Sequence, residues 1–239
     1  MNSGSDATVY VDKTALSRDS GQSVGILRNS INRQNTYGLI SKLNLDMSDA
    51  LRLQFGVDWR TAGIEHAREV RDLMGGDYYM DFADDNYPSG KKVSLGDIIA
   101  YHNETTVDWI GVFAQGNYTA GPISAYGMAG FSSIAYSYQD HFTVADEKIV
   151  ADPISAMQFK GGAMYDLNES MSVFANFGLV EKPPIMDNVI YFDGTVASDP
   201  ANEKFQSLEA GANYSSGIFG VKTSYYNTDW IDRNLTKAV

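Results

Sequence analysis

LRLQFGVDW, residues Leu51 to Trp59, carries Leu51, Leu53, Phe55, Val57 and Trp59 at its odd positions and Arg52, Gln54, Gly56 and Asp58 at its even ones. Side chains on a β-strand alternate between faces, so this stretch reads as a strand with one apolar and one polar face. Two more stretches repeat the pattern. Val173, Ala175, Phe177 and Leu179 alternate with Ser172, Phe174, Asn176 and Gly178, and Leu208, Ala210, Ala212 and Tyr214 alternate with Glu209, Gly211 and Asn213. No charge falls on any of these apolar faces, whereas Arg52, Asp58 and Glu209 sit on the polar ones. The question is what the apolar face meets.

Working outward, the chain repeats one unit: an extended segment, a tiny turn, a second extended segment, then a long polar connection. Residues 35–47 and 51–60 join across Ser48-Asp49-Ala50, and residues 107–120 and 123–138 join at Gly121-Pro122. Residues 155–167 and 171–180 join at Asn168-Glu169-Ser170, and residues 205–214 and 218–230 join at Ser215-Ser216-Gly217. These turns hold residue types that favour tight reversals. The pattern predicts about eight antiparallel strands in four hairpins. The alternating segments are about 9–11 residues long, enough to cross a bilayer when tilted.

The connections between hairpins, residues 65–106, 139–155 and 182–203, read as long, polar and irregular, and the first carries nine acids against four bases. Short turns at one end and long loops at the other are the asymmetry of an outer-membrane barrel, with the long loops extracellular. Tyr118, Tyr126, Tyr165, Tyr214 and Phe219 near the turns suggest one aromatic girdle, and Trp59, Trp109, Tyr136 and Tyr138 the other. A soluble sandwich also alternates and also places Tyr near turns, so pattern alone leaves both readings open. Ile64 to Met74 additionally admits a helix, with Ile64, Ala67, Val70 and Met74 near one face and Arg68 and Asp72 four apart.

Composition narrows the function. A net charge of −12 opposes nucleic-acid binding. With no Cys, disulfide scaffolds, thiol catalysis and zinc–thiolate sites are excluded. No apolar run reaches the roughly 18 residues of a membrane helix, and the opening MNSGSDATVY lacks a signal peptide's basic start and apolar core.

The blocks GVDWRTAGIEHAREVRDLMGGDYY (56–79), GDIIAYHNETTVDWIGVFAQGNY (96–118) and VEKPPIMDNVIYF (180–192), with DPANEKFQSLEAGANY (199–214) and FGVKTSYYNTDWIDR (219–233), resemble the β-barrel of TonB-dependent receptors of the Bacteroidota type. The most specific part is Pro183-Pro184, then Asp199-Pro200-Ala201-Asn202-Glu203, then Glu209 and Gly211 opening a strand. The resemblance covers roughly residues 24–235 and implies an antiparallel transmembrane β-barrel segment from the C-terminal half of such a receptor. Receptors of this kind have a barrel of about 22 strands around a plug. Residues 1–23 are then a polar lead-in and 24–239 a partial barrel, read as an internal piece of such a receptor without its plug. The implied function is import of a scarce ligand (siderophore, cobalamin, glycan or peptide) with energy from the inner-membrane proton gradient. The implied partners are outer-membrane lipid and the TonB–ExbB–ExbD system. A self-contained eight-stranded barrel with an adhesin or structural role, and a carbohydrate-binding sandwich, are the competing readings.

No nucleophile elbow, phosphate loop or supported carboxylate pair occurs, so no enzyme and no cofactor are expected. Arg60, Arg68 and Arg71 follow a spanning strand and suit an anionic ligand at the barrel mouth, although ion pairs with Glu65, Glu69 and Asp72 compete for them. His66, His102 and His141 all fall at the long-loop end and are further ligand-binding candidates at the barrel mouth, able to gather around a metal or metal chelate but without zinc-motif spacing. Asp77, Asp81, Asp84 and Asp85 are weak calcium candidates lacking EF-hand spacing; a solvated acidic loop is the simpler expectation.

Overall fold

The computed structural model describes residues 21–233. The expected lead-in lies outside the described residues apart from positions 21–23. The strands in chain order are β1 (Leu27–Asp46), β2 (Leu51–Asp72), β3 (Tyr79–Asp81), β4 (Lys91–Val93), β5 (Ile98–Ala120), β6 (Ile123–Asp140), β7 (Lys148–Val150), β8 (Ile154–Asn168), β9 (Met171–Lys182), β10 (Glu203–Ser215) and β11 (Gly220–Ile231). The eight long strands form one sheet in the order β1-β2-β5-β6-β8-β9-β10-β11. β7 pairs with β6, and β3 and β4 pair with each other. The four hairpins fall where the alternation placed them.

Local chemistry closes each turn. Ser48 Oγ accepts from Leu51 N at 3.1 Å, and Met47 N donates to Leu51 O at 2.9 Å. Between β5 and β6 only Gly121 and Pro122 intervene, with Gly121 at φ +56°. Gly first and at positive φ is the requirement of a type II′ hairpin turn, whose twist matches the flanking strands. Asn168 Oδ1 accepts from Ser170 N at 2.9 Å before β9, and Ser216 N donates to Phe219 O at 2.9 Å before β11.

The chain folds as two compact units. One includes residues 37–61, 107–136 and 151–233. On its strands the apolar face is open: Phe55, Val57 and Trp59 are 42%, 46% and 44% exposed. Ile110, Val112, Phe159, Phe177, Leu179 and Leu208 are likewise exposed. The opposite face is tied together by polar pairs: Gln54–Asn44 at 2.7 Å, Arg52–Asp46 at 2.6 Å, Asn176–Glu209 at 3.1 Å and Asn213–Ser172 at 3.1 Å. A sheet that satisfies its polar face internally and bares its apolar face is inside-out relative to a soluble sandwich. This narrows the opening question: the apolar side of the strand is open to its surroundings and is not covered by a core of this unit.

Glycines on this sheet seat neighbouring side chains. Gly211, opposite Phe174 in the β9–β10 register, leaves the space that Phe174 occupies, and Gly56 does the same for Phe113. Aromatic cover over strand glycines pins register.

The other unit includes residues 21–36, 62–106 and 137–150 and holds its own hydrophobic cluster: Ile26, Val70, Leu73, Val93 and Ile99, with Tyr79 against it. The helix reading of Ile64–Met74 and the reading of 65–106 as irregular both give way here. β2 continues to Asp72 and β5 begins at Ile98, for lengths of 22 and 23 residues rather than 9–11. Pairing with β1 and β5 supplies the backbone bonds that a lone segment would take from a helix. The segment between them is folded too. Val70 N donates to Asp97 O at 2.9 Å and Gly96 N to Val70 O at 2.9 Å.

The girdles also need correction. Tyr118, Tyr165, Tyr214 and Phe219 are exposed near the turns. Tyr126, however, packs on the polar face beside Gly162 and Asn176. At the other end Trp59 is exposed, whereas Tyr136 and Tyr138 are buried. Tyr136 donates its hydroxyl to Pro184 O at 2.9 Å. Pro183, which has no ladder N–H to give, stands immediately after β9 ends.

Candidate functional site

The densest polar constellation lies in the unit with the hydrophobic cluster. From β1, Arg33 Nη1 reaches Glu65 Oε2 on β2 at 3.0 Å. The other oxygen of Glu65 lies 3.2 Å from His102 Nε2 on β5. The hydrogen bond from Arg33 holds the Glu65 carboxyl below its usual range against a smaller opposing effect of burial, with His102 adding to the lowering. A cleft of about 240 Å³ beside this clamp is lined by Arg33, Asn35, Glu65, Glu104 and Thr105 among others.

His141 follows the last residue of β6, and its N–H donates to His102 O at 2.9 Å. The two imidazoles lie 4.6 Å apart, centroid to centroid. His141 Nδ1 lies 2.8 Å from Asp146 Oδ1, and its Nε2 is 3.6 Å from Glu104 Oε1. His66 is exposed on β2 and outside this group.

The arginines have separate surroundings. Arg60 belongs to the other unit, and its guanidinium takes both oxygens of Asp58 at 2.9 and 2.7 Å. Arg68 stacks over the Tyr101 ring at 5.0 Å, and Arg71 is exposed. The acids expected to pair with them are engaged elsewhere: Glu65 with Arg33, Glu69 with Asn29 at 3.1 Å, and Asp72 with Met74 N at 2.6 Å.

The four aspartates divide into two kinds. Asp77 and Asp85 are exposed, whereas Asp81 and Asp84 are buried. Asp81 Oδ2 accepts from Ala100 N at 3.2 Å, at a residue held at φ +67°. Asp84 Oδ1 accepts from Asn86 N at 3.0 Å and from Asn86 Nδ2 at 2.9 Å. Asn86 Nδ2 in turn lies within reach of His141 O at 3.3 Å. These two acids tie backbone together, so the segment is more than a solvated acidic loop. Among the described residues the metal-capable group is His102, Glu104 and His141.

Glu104, Asp146 and Arg33 had escaped notice in the sequence, although a signal for the first was there. His102 lies nineteen residues before Gly121, and His141 lies nineteen after Pro122. A two-residue turn with unbroken pairing sets those positions opposite each other, and His-x-Glu on a strand shares one face.

The second concave surface lies on the polar face of the other unit. There Asn117, Ser124, Asn176, Glu209, Asn213 and Lys222 border a cleft of about 390 Å³. Amides, one carboxylate and one ammonium make a hydrogen-bonding surface; Lys222 is drawn over the Phe174 ring at 5.3 Å.

Among solved structures, the unliganded ferric citrate transporter FecA matches with a TM-score of 0.56 at 14% identity, over 89% of this chain and 31% of that one. The alcaligin outer-membrane receptor FauA of Bordetella pertussis matches with a TM-score of 0.49 at 12% identity, over 85% of this chain and 30% of that one. The ferric-catecholate import receptor Fiu of E. coli K12 matches with a TM-score of 0.49 at 11% identity, over 83% of this chain and 31% of that one. The chain thus spans about a third of the solved chains it matches. No curated protein sequence matches it. The model of the TonB-dependent receptor-like β-barrel matches residues 2–234. With a sheet that is polar on one face and open and apolar on the other, the chain belongs to the TonB-dependent receptor β-barrel family, whose members are outer-membrane receptors.

Proposed function

We propose that this chain is barrel wall from a receptor that imports a scarce ligand across the outer membrane. The family match over residues 2–234 carries this reading. The ligand belongs to the siderophore, cobalamin, glycan or peptide class. Energy comes from the inner-membrane proton gradient through TonB–ExbB–ExbD, acting on a plug domain. Outer-membrane lipid covers Phe55, Val57 and Leu208, and the layer containing Asn176, Glu209 and Asn213 faces the lumen. A hydrogen-bonded polar layer suits this role, because it keeps the lumenal side wet. The long connections are extracellular, and Arg60, Arg68, Arg71, His66, His102 and His141 supply ligand-recognition groups at that end.

The test compares three strains: parent, a deletion of this gene, and a deletion of TonB. Each grows on a ferric siderophore as sole iron, on cobalamin in place of methionine synthesis without it, or on a glycan or peptide as sole carbon or nitrogen source. The gene deletion should reproduce one nutrient-specific defect of the TonB deletion, and the intact gene should restore growth. A gene deletion that reproduces none of those defects overturns the proposal.

A further inference from the structure

We propose that His102, Glu104 and His141 bind a resident divalent transition-metal ion of the zinc type. The ligand atoms these three side chains offer all lie within 4.8 Å of one another. Tetrahedral coordination with metal–nitrogen bonds of about 2.0–2.1 Å requires ligand atoms about 3.3–3.4 Å apart. The Glu104–His141 separation of 3.6 Å is already close to that. The widest separation closes by rotating side chains alone, since His102 and Glu104 share a strand face and His141 is bonded through its backbone to His102.

The surroundings distinguish this trio from a chance meeting of surface histidines. A metal-bound imidazole characteristically gives its other nitrogen to a carboxylate, which fixes the ring and its tautomer. Both rings have that partner. His141 Nδ1 is held by Asp146 Oδ1 at 2.8 Å, leaving Nε2 toward Glu104. His102 Nε2 is held by Glu65 Oε1 at 3.2 Å, leaving Nδ1 for coordination. Glu65 is itself anchored by Arg33.

Two imidazoles and one carboxylate suit zinc, with room for a fourth ligand, and poorly suit calcium or magnesium, which take oxygen. Three carboxylates around the rings (Glu65, Glu104 and Asp146) oppose an anion. Both imidazoles are 25% exposed and Glu104 58%, so an ion can enter from solvent. Once bound, it links β5 to the segment that follows β6.

The experiment uses the full-length protein carrying this chain, purified from outer membranes in detergent and stripped with a chelator. Zn²⁺ is titrated against a chromophoric competitor. One equivalent should bind, and His102→Gln or His141→Gln should each weaken binding by at least about tenfold. His66→Gln should leave it unchanged. The unmutated protein gives an independent reading: Zn²⁺ should protect His102 and His141, but not His66, from carbethoxylation by diethyl pyrocarbonate. Absence of a stoichiometric Zn²⁺ site, binding unchanged in both histidine variants, or equal labelling of all three histidines with and without Zn²⁺ would each overturn the proposal.

Discussion

Replacing Phe55 with Arg tests which face of β2 meets lipid. Leu51 to Trp59 covers eight residue steps, about 27 Å along the strand at roughly 3.4 Å each. Tilted by about 40°, that becomes about 20 Å of height, within the apolar band of about 25 Å. Phe55 is the midpoint, so its side chain lies near midplane. An Arg there on the lipid face costs about 2–4 kcal/mol. Gln54→Arg, one residue away, turns to the polar face. It loses the 2.7 Å bond to Asn44, a cost of about 0.5–1.5 kcal/mol. Both variants go into the full-length protein refolded in lipid vesicles, with denaturant unfolding followed by tryptophan fluorescence. Phe55→Arg should be the more damaging by at least about 0.5 kcal/mol, the smallest gap between those ranges. Equal losses, or the reverse order, would refute the lipid-facing assignment of the apolar side.

Gly211→Ala should destabilise by about 1–3 kcal/mol, because the new methyl meets Phe174 Cζ at 2.6 Å and also the Thr223 carbonyl. Gly127→Ala, with open space around it, should lack that overpacking cost in the same unfolding titration. Tyr136→Phe strands the buried Pro184 carbonyl and should cost about 1–3 kcal/mol, read from the denaturation midpoint. The Glu65 carboxyl is held low chiefly by Arg33. Its contribution is therefore complete above the unfolded value of about 4.3 and is lost as pH falls through the lower folded value. Hydrogen exchange across residues 62–72 and 98–106 should stay slow until that window and then accelerate. Glu65→Gln should show weaker protection at neutral pH and no such step.

The part of the fold legible in the sequence is the part where one face is apolar throughout. Between Leu51 and Trp59 no odd position carries charge, so the alternation marks the strand by itself. Beyond Trp59 that constraint ends. Residues 60–72 carry charge on both faces, and Ala67, Val70 and Leu73, buried at every third position, imitate a helix. Val70 and Leu73 are buried with Ile26, Val93 and Ile99, residues whose proximity no local pattern reports. The site divides in the same way. The histidine pair was encoded in its symmetric placement about Gly121-Pro122, but only a reader who extended both strands that far would see it. Arg33 and Asp146 enter through tertiary packing alone.

The order of the sheet also sets how it can be made. Every long strand pairs with the long strand before and after it in the chain, so each hairpin can close over a turn of two to four residues and then add to a waiting edge. Loop-closure entropy is small at each step, and assembly can advance hairpin by hairpin from either side. The cluster of Ile26, Val70, Leu73, Val93 and Ile99 obeys a different schedule. Its members span more than seventy positions of the chain and come from β2 and the residue after it, β4, β5 and the approach to β1, so it consolidates only after those strands are in register. A variant weakened in that cluster would therefore complete its membrane-spanning hairpins at the normal rate and stall at the final step.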